Sequence, residues 1–381
     1  MHIVVLENEP SSTRGGQELS LLDVCRELNQ RGHQISLIYV KEGNLLSQYR
    51  EFCDQILNVN GYAISRKNLL YSCINFPIDL LRIIGKIPFN GSTIVYSNQY
   101  HDTPFSSVLS LLKGVPAVCH LRIPPPKKMD VQRAIALKGV RHFIAVSHQT
   151  KLEWVKSGIS ESAIEVVYNG TNTERFRPSD SPSKLRIEQA ISSAVKVISY
   201  IGRLDRPKGV DILIKAFALL IADQPNLELL IAGKPLIQNQ EYLQSLKQLA
   251  IDLKIDTHVH FLGHVSDTVS LYQASDVVVL PSIWSEPFGK VVIEAMACGT
   301  PVVASRVGGI PEILSETFEV GLFEPRNVSD LANTLTQVLD WKATNPQLGT
   351  ACREHILKKF ALHKKIDEIE KITLEVTSKR S

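Results

Sequence analysis

Short, wholly apolar runs alternate along this chain with longer stretches whose apolar residues recur at helical spacing. HIVVLE, QISLIYV, STIVYS, PAVCH, HFIAVS and IEVVY read as strands. After a break, KVISYIG, LELLIAG, HVHFLG, DVVVLPS, PVVAS and EVGLFE repeat the rhythm. Strands apolar on both faces belong to parallel sheets covered by helices on each side, so the pattern predicts an α/β protein with two doubly wound parallel sheets. The break is RPSDSPSKLRIEQAISSA, polar and proline-bearing, over residues 177–194. It predicts one domain over residues 1–178 and a second over 190–361. A length of 381 residues agrees, because a single core stops growing well before that size. The last stretch, ALHKKIDEIEKITLEVTSK, has helical period.

Composition narrows the function classes. Lysine and arginine number 42 against 39 acids, a formal charge of +3, which gives no footprint for a nucleic-acid partner. The six cysteines stand singly, with no CxxC pair and no Cys/His ligand spacing, so neither a disulfide framework nor zinc is expected and a reducing cytoplasm fits. HIVVLE opens the sequence without a basic leader or a long apolar run, so any membrane contact is expected to be peripheral, at the inner face.

Candidate chemistry concentrates in SEPFGKVVIEAMACGTPVVAS, residues 285–305. Glu286 falls in a loop and Glu294 about one turn inside the following helix. Pro287 suits a first helical turn, Phe288-Gly289 bring bare backbone to the helix mouth, and Gly289 removes a Cβ that would hold a ligand off. Val291, Val292 and Ile293 leave Glu294 as the charge of the helix body, where an unpaired carboxylate is costly and a partner is expected. Two acids flanking a helix N-terminus, with amides between them, suit a ligand rich in hydroxyls and phosphates. Further on, YIGRLDRPKG puts Arg203 after Gly202 at a strand end and Lys208 at the next helix start, two cations on one sheet edge. A leaving diphosphate needs such charge as the bond to it breaks.

These motifs resemble the large family of retaining glycosyltransferases of the group 1, or family 4, type. The likeness is strong over residues 165–340; over the N-terminal half it rests on the paired glycines, a histidine and the strand rhythm. It implies a GT-B fold, two Rossmann-like domains facing a cleft, with the final helix, 362–381, crossing back onto the first. It also implies that Glu286 holds the hydroxyls of the transferred sugar and Glu294 the ribose, and that Arg203 and Lys208 hold the diphosphate. Gly202 and Gly233 would border the site, and the backbone of His264 and Val265 would receive the base. Uracil is favoured, with guanine and adenine open. Pro287, Phe288, Gly289, Lys290 and Val291 line the sugar side in this reading. Lys290 departs from the leucine often found there. Its cation has three readings, in order: a pair with Glu294, a solvent-facing charge, or a contact for an anionic donor or acceptor.

In the first half, Gly15-Gly16 open a helix after the first strand and either approach phosphates and acceptor, as in the family, or make a plain turn. Their spacing is not GxGxxG, so no nicotinamide or flavin is expected. His120 ends PAVCH, at the carboxyl edge where α/β sheets gather ligands. The resemblance places it beside the transferred sugar, and Leu121-Arg122 replace the acid that often follows, so sugar binding is a safer role than general base. Arg122, Lys127, Lys128 and Arg133 read as a receiver for a charged acceptor or as a solvated basic face. Asn169-Gly170 reads as an architectural turn, and Gly308-Gly309 as shaping the site. Residues 68–89, with Arg66, Lys67, Arg82 and Lys86 around them, read first as a core helix and second as a helix resting on an anionic membrane near a lipid-linked acceptor.

No Asp-x-Asp element appears, so no metal or other cofactor is expected. The function implied is retaining transfer of a hexose, best guess glucose, from a nucleotide diphosphate sugar, best guess UDP-linked, to a hydroxyl of a glycan or lipid-linked glycan in polysaccharide biosynthesis. A nucleotide-sugar 2-epimerase and a non-catalytic sugar-nucleotide-binding protein stand as alternatives.

Overall fold

The structure is a computed structural model that describes residues 1–65, 67–179, 183–235 and 240–378. Arg66, residues 180–182 of the polar break and residues 379–381 of the final segment lie outside the described residues. The chain divides into two units, Met1–Asn169 with His363–Ser381, and Gly170–Leu362.

In the first unit seven parallel strands stand in the order β3-β2-β1-β4-β5-β6-β7. They are β1 His2–Glu7, β2 Gln34–Tyr39, β3 Gln55–Asn58, β4 Thr93–Ser97, β5 Ala117–Leu121, β6 His142–Ala145 and β7 Ile164–Val166. The second unit has six parallel strands in the order β10-β9-β8-β11-β12-β13. These are β8 Lys196–Ile201, β9 Leu227–Ala232, β10 Val259–Gly263, β11 Val277–Leu280, β12 Val302–Ser305 and β13 Leu322–Phe323. Every residue of β1, β4, β5, β11 and β12 is buried, which is why these read as unbroken apolar runs rather than alternating ones. Strand order reverses between β1 and β4 and again between β8 and β11. Such reversals open a crevice at the carboxyl ends of the strands.

β3 was not anticipated: of QILN only Leu57 is fully buried, so the window lacks an apolar run. The division after Asn169 precedes the expected 178 because residues 170–178 are already built into the second unit. Thr171 N–H donates to Phe360 O at 2.9 Å, Leu362 N–H donates to Thr171 O at 2.9 Å, and the Phe176 ring lies 6.0 Å from that of Tyr272. The final helix, Leu362–Ser378, belongs to the first unit from His363 onward. There its Glu370 carboxylate accepts from Arg31 and pairs with His33, both at 2.6 Å.

Residues 69–86 form a helix whose Leu80 and Ile83 enter the core beneath β1 and β4, while Leu70, Ile74, Ile78 and Leu81 stay exposed. The core reading holds for its inner face and leaves the outer stripe uncovered. Among the described residues no helix is long and apolar enough to cross a membrane.

Candidate active site

In the second unit the crevice between β8 and β11 is built from loops that pin one another. After β8, Arg206–Lys208 form one tight turn. Its Pro207 carbonyl accepts from Ile283 N at 2.9 Å, and Gly209 turns at φ 65° against β11, where a Cβ would lie 2.1 Å from Pro281 O. Only glycine permits that approach. The turn carries the Lys208 ammonium to Glu286, whose Oε1 it reaches at 2.5 Å. The same oxygen accepts from Ser282 Oγ and from Trp284 Nε1, the latter at 2.8 Å. Glu286 is 6 % exposed, so its charge is held out of water by one cation and two neutral donors. Behind it Gly308, at φ 55°, lies so close that a Cβ would sit 1.9 Å from Glu286 O. Gly309 N–H donates to that carbonyl at 2.8 Å. The two glycines therefore shape the loop as expected.

Arg203 follows Gly202 at the end of β8, is about one-third exposed, and pairs with Asp205 at 3.4 Å. Tyr200 O–H donates to Arg203 O at 2.6 Å and feels the charges of both Glu286 and Arg203, which places all three in one neighbourhood. Gly233 and Gly263 end β9 and β10, joined by a 2.6 Å bond from Gly233 N–H to Gly263 O. Beyond them His264 is exposed, and Val265 packs on a cluster that includes Leu230 and Leu271.

The helix of the central motif is Lys290–Ala297. Pro287 therefore lies ahead of it rather than in its first turn. Phe288 is buried and its ring packs 5.9 Å from that of Phe360. Gly289 is required by φ 108° and by Ile310, whose Cδ1 would be 2.4 Å from a Cβ. The backbone conformation by itself calls for that glycine. Glu294 has the partners its burial demands: Tyr272 O–H donates to it at 2.8 Å and Lys290 pairs with it at 3.9 Å, the first of the three readings of Lys290. Val291, in the first helical turn, is half-buried.

The first unit collects a second polar cluster at the carboxyl ends of its strands. His120, within β5, is 1 % exposed and its Nδ1 shares a 2.5 Å hydrogen bond with Tyr96 O–H. Burial, then the neighbouring Arg122, hold its pKa well below the ordinary histidine value, so the ring is neutral. Arg122 is buried rather than part of a solvated face: Nε donates to Asn98 Oδ1 at 2.6 Å and Nη1 to Asn169 Oδ1 at 2.8 Å. Asn98 in turn donates to Glu7 Oε2 at 2.5 Å. Burial, reinforced by Glu18, pushes the Glu7 carboxyl up to about 7. Gly15 caps the helix Gly16–Gln30, and Glu18 in its first turn is 1 % exposed. Among the described residues Glu18 Oε2, His120 Nε2 and Arg122 Nη2 are buried without a hydrogen-bond partner.

Residues 183–355 match the model of the glycosyl transferases group 1, and residues 14–175 match that of glycosyltransferase family 4. The D-inositol 3-phosphate glycosyltransferase of Pseudarthrobacter chlorophenolicus is 32% identical over 379 residues, covering 92% of this chain and 88% of that protein. The chain belongs to the group 1 glycosyltransferases. The enzyme of the same name from Saccharomonospora viridis is 36% identical over 199 residues, so that 51% of this glycosyltransferase chain matches 46% of that protein. The chain thus spans about half the length of several curated relatives it matches. Anabaena HepE, solved with UDP and glucose, shares the two-domain GT-B fold at a TM-score of 0.84 and 23% identity, covering 98% of this chain and 100% of that one.

Several residues of the two clusters in this group 1 glycosyltransferase were not evident from sequence: Ser282, Trp284 and Tyr272, which hold the two glutamates of the second unit, and, separately, Glu7, Glu18, Tyr96 and Asn98 in the first unit. Trp284, two residues before Glu286, offered a signal, because an indole N–H beside a buried acid is a ready donor. The others meet their partners only through the tertiary fold.

Proposed function

We propose that the protein is a retaining hexosyltransferase, with UDP-glucose the favoured donor and a hydroxyl of a glycan or lipid-linked glycan the acceptor, acting in the cytoplasm in polysaccharide biosynthesis. The observation that carries this reading is the pinned Lys208–Glu286 pair at the reversal between β8 and β11. Three donors fix Glu286 Oε1, leaving Oε2 to orient a sugar hydroxyl. An ammonium has three N–H bonds, so Lys208 can hold Glu286 and a diphosphate oxygen together. Arg203, partly exposed, adds a fork for the phosphates, and these cations take the role that a bridging metal plays elsewhere. Glu294 receives the ribose, and the backbone at His264 and Val265 the base. His120, neutral and buried, donates or accepts one hydrogen bond at the sugar, and the donor phosphate takes the acceptor's proton. HepE, which has the same fold, was solved with UDP-glucose, in keeping with a uridine donor.

A second reading of the acceptor has one observation in its favour. The relatives are named for an inositol phosphate, and Arg122 is a buried cation with an unpartnered Nη2. A phosphate-bearing polyol fits that group.

Transfer from UDP-glucose to a panel of glycans and phosphopolyols, followed by product anomer analysis, tests both readings. Glu286→Ala should stay folded and lose about a hundredfold or more of the transfer rate; undiminished transfer would overturn the assignment, and an inverted product would overturn the retaining course.

A further inference from the structure

The helix Leu69–Lys86 is apolar on two sides. Its inner face, with Leu80 and Ile83, packs in the core of the first unit with Phe105 and Leu109. On its outer face Leu70 is 81% and Leu81 70% exposed, with Ile74 and Ile78 between them also exposed. At 3.6 residues per turn these four fall within an arc of about 80°. A helix apolar all round is normally covered all round, so the outer stripe is a surface lacking its partner.

Charge says what that partner is. From Gln55 to Met129 the sequence contains only two acids, Asp79 and Asp102, and they are 1% and 2% exposed. Asp79 is turned inward, accepting from Asn60 N at 2.7 Å and pairing with Arg82 at 3.1 Å. Lys67, just ahead of this helix, and Arg82 and Lys86 on it are by contrast exposed, and Lys127 and Lys128 are exposed further along this segment. The segment therefore presents cations and an apolar stripe to solvent, and no anionic side chain. A protein partner would ordinarily be met by mixed charge, whereas an anionic bilayer offers an apolar interior under a uniformly negative surface.

We propose that the outer face of the helix Leu69–Lys86 docks the protein onto anionic lipid bilayers, with Leu70, Ile74, Ile78 and Leu81 entering the acyl boundary and Lys67 and Lys86 resting among the headgroups. This rests on the first unit alone and stands apart from the donor reading. The helix lies in the interface; it does not span it.

The test is co-sedimentation of the full chain with vesicles of equimolar phosphatidylglycerol and phosphatidylcholine, or of phosphatidylcholine alone. The protein should pellet with the first and remain in solution with the second. The variant L70S/I74S/I78S/L81S changes only exposed side chains, so it should melt like the parent and lose binding at least tenfold. K67Q/K86Q should lower the partition coefficient by about 25-fold, at about 1 kcal/mol per cation near the surface. Equal binding to both vesicle types, undiminished binding by the serine variant, or no binding by the parent each overturns the proposal. So does a parent that forms dimers in light scattering which the serine variant abolishes, because the stripe would then be an interface between copies.

Discussion

Replacing Lys208 with methionine keeps the length of the side chain but removes the ammonium that donates to Glu286 Oε1 at 2.5 Å. The two side chains are 15% and 7% exposed, so the interaction is not screened as a surface pair would be. Removing one partner of a buried ion pair costs about 3–5 kcal/mol. Ser282 and Trp284 still donate to the same oxygen, so the cost should fall at or just under the low end, about 2–3 kcal/mol. Glu286→Gln strands the ammonium instead. Its remaining neighbour is the Trp284 ring, 5.4 Å away, and a loss of about 2 kcal/mol is expected.

The double variant contains neither charge and should be no less stable than the worse single variant, which gives a coupling energy of about 2 kcal/mol. Urea unfolding followed by tryptophan fluorescence reads this directly, since Trp284 and Trp341 both belong to the second unit. If the single effects simply add, within about 0.5 kcal/mol, the two charges do not meet in solution. The argument that Glu286 is oriented before a ligand arrives then fails with them.

Two further predictions concern Glu7 in the first unit and Gly308 in the second. Because burial raises Glu7 from 4.5 to about 7, the folded chain keeps a proton that the unfolded chain releases. Stability from this group is full below pH 4.5 and declines as pH rises towards 7. Glu7→Gln should therefore match the parent at pH 4.5 and exceed it above pH 7 by on the order of 3 kcal/mol; denaturant titrations across that range showing a constant difference would contradict it. Gly308→Ala forces a non-glycine residue to φ 55° and a methyl group into Glu286 O. It should cost about 2 kcal/mol or more and displace the Glu286 loop, so a variant that melts and binds nucleotide like the parent would refute the role given to that glycine.

The strand rhythm was legible because parallel strands covered on both faces must be continuously apolar; HIVVLE and DVVVLPS needed no tertiary information. β3 escaped because at the sheet edge only Leu57 of its four residues is buried, whereas β13, only two residues long, still lies within the predicted EVGLFE. The site was legible where chemistry follows chain order. Arg203 after β8 and Glu286 after β11 sit at strand ends whatever the packing details. What could not be read was how those residues are braced. That Lys208 binds Glu286, 78 residues on, depends on the turn at Gly209 meeting β11. That Arg122 is buried depends on Asn98 and Asn169, which come from different loops. The motif also left one reason unread: Gly289 is needed for its backbone at φ 108°.

The helix Leu69–Lys86 shows why a hydrophobic pattern can be ambiguous even when it is strong. A stripe on one face and a stripe on the other give a sequence that reads as core, and the pattern carries no mark of which stripe the chain itself covers. Its charges do carry such a mark. A helix enclosed on both sides has no place for exposed Lys67, Arg82 and Lys86, while a helix on an ordinary solvated face should intersperse acids with its bases. Here the one acid, Asp79, is directed inward to Asn60 and Arg82, away from the outer stripe. Apolar residues outward, cations beside them and the only anion withdrawn are each unfavourable or unnecessary in water alone, and all three become favourable together at a negatively charged bilayer surface.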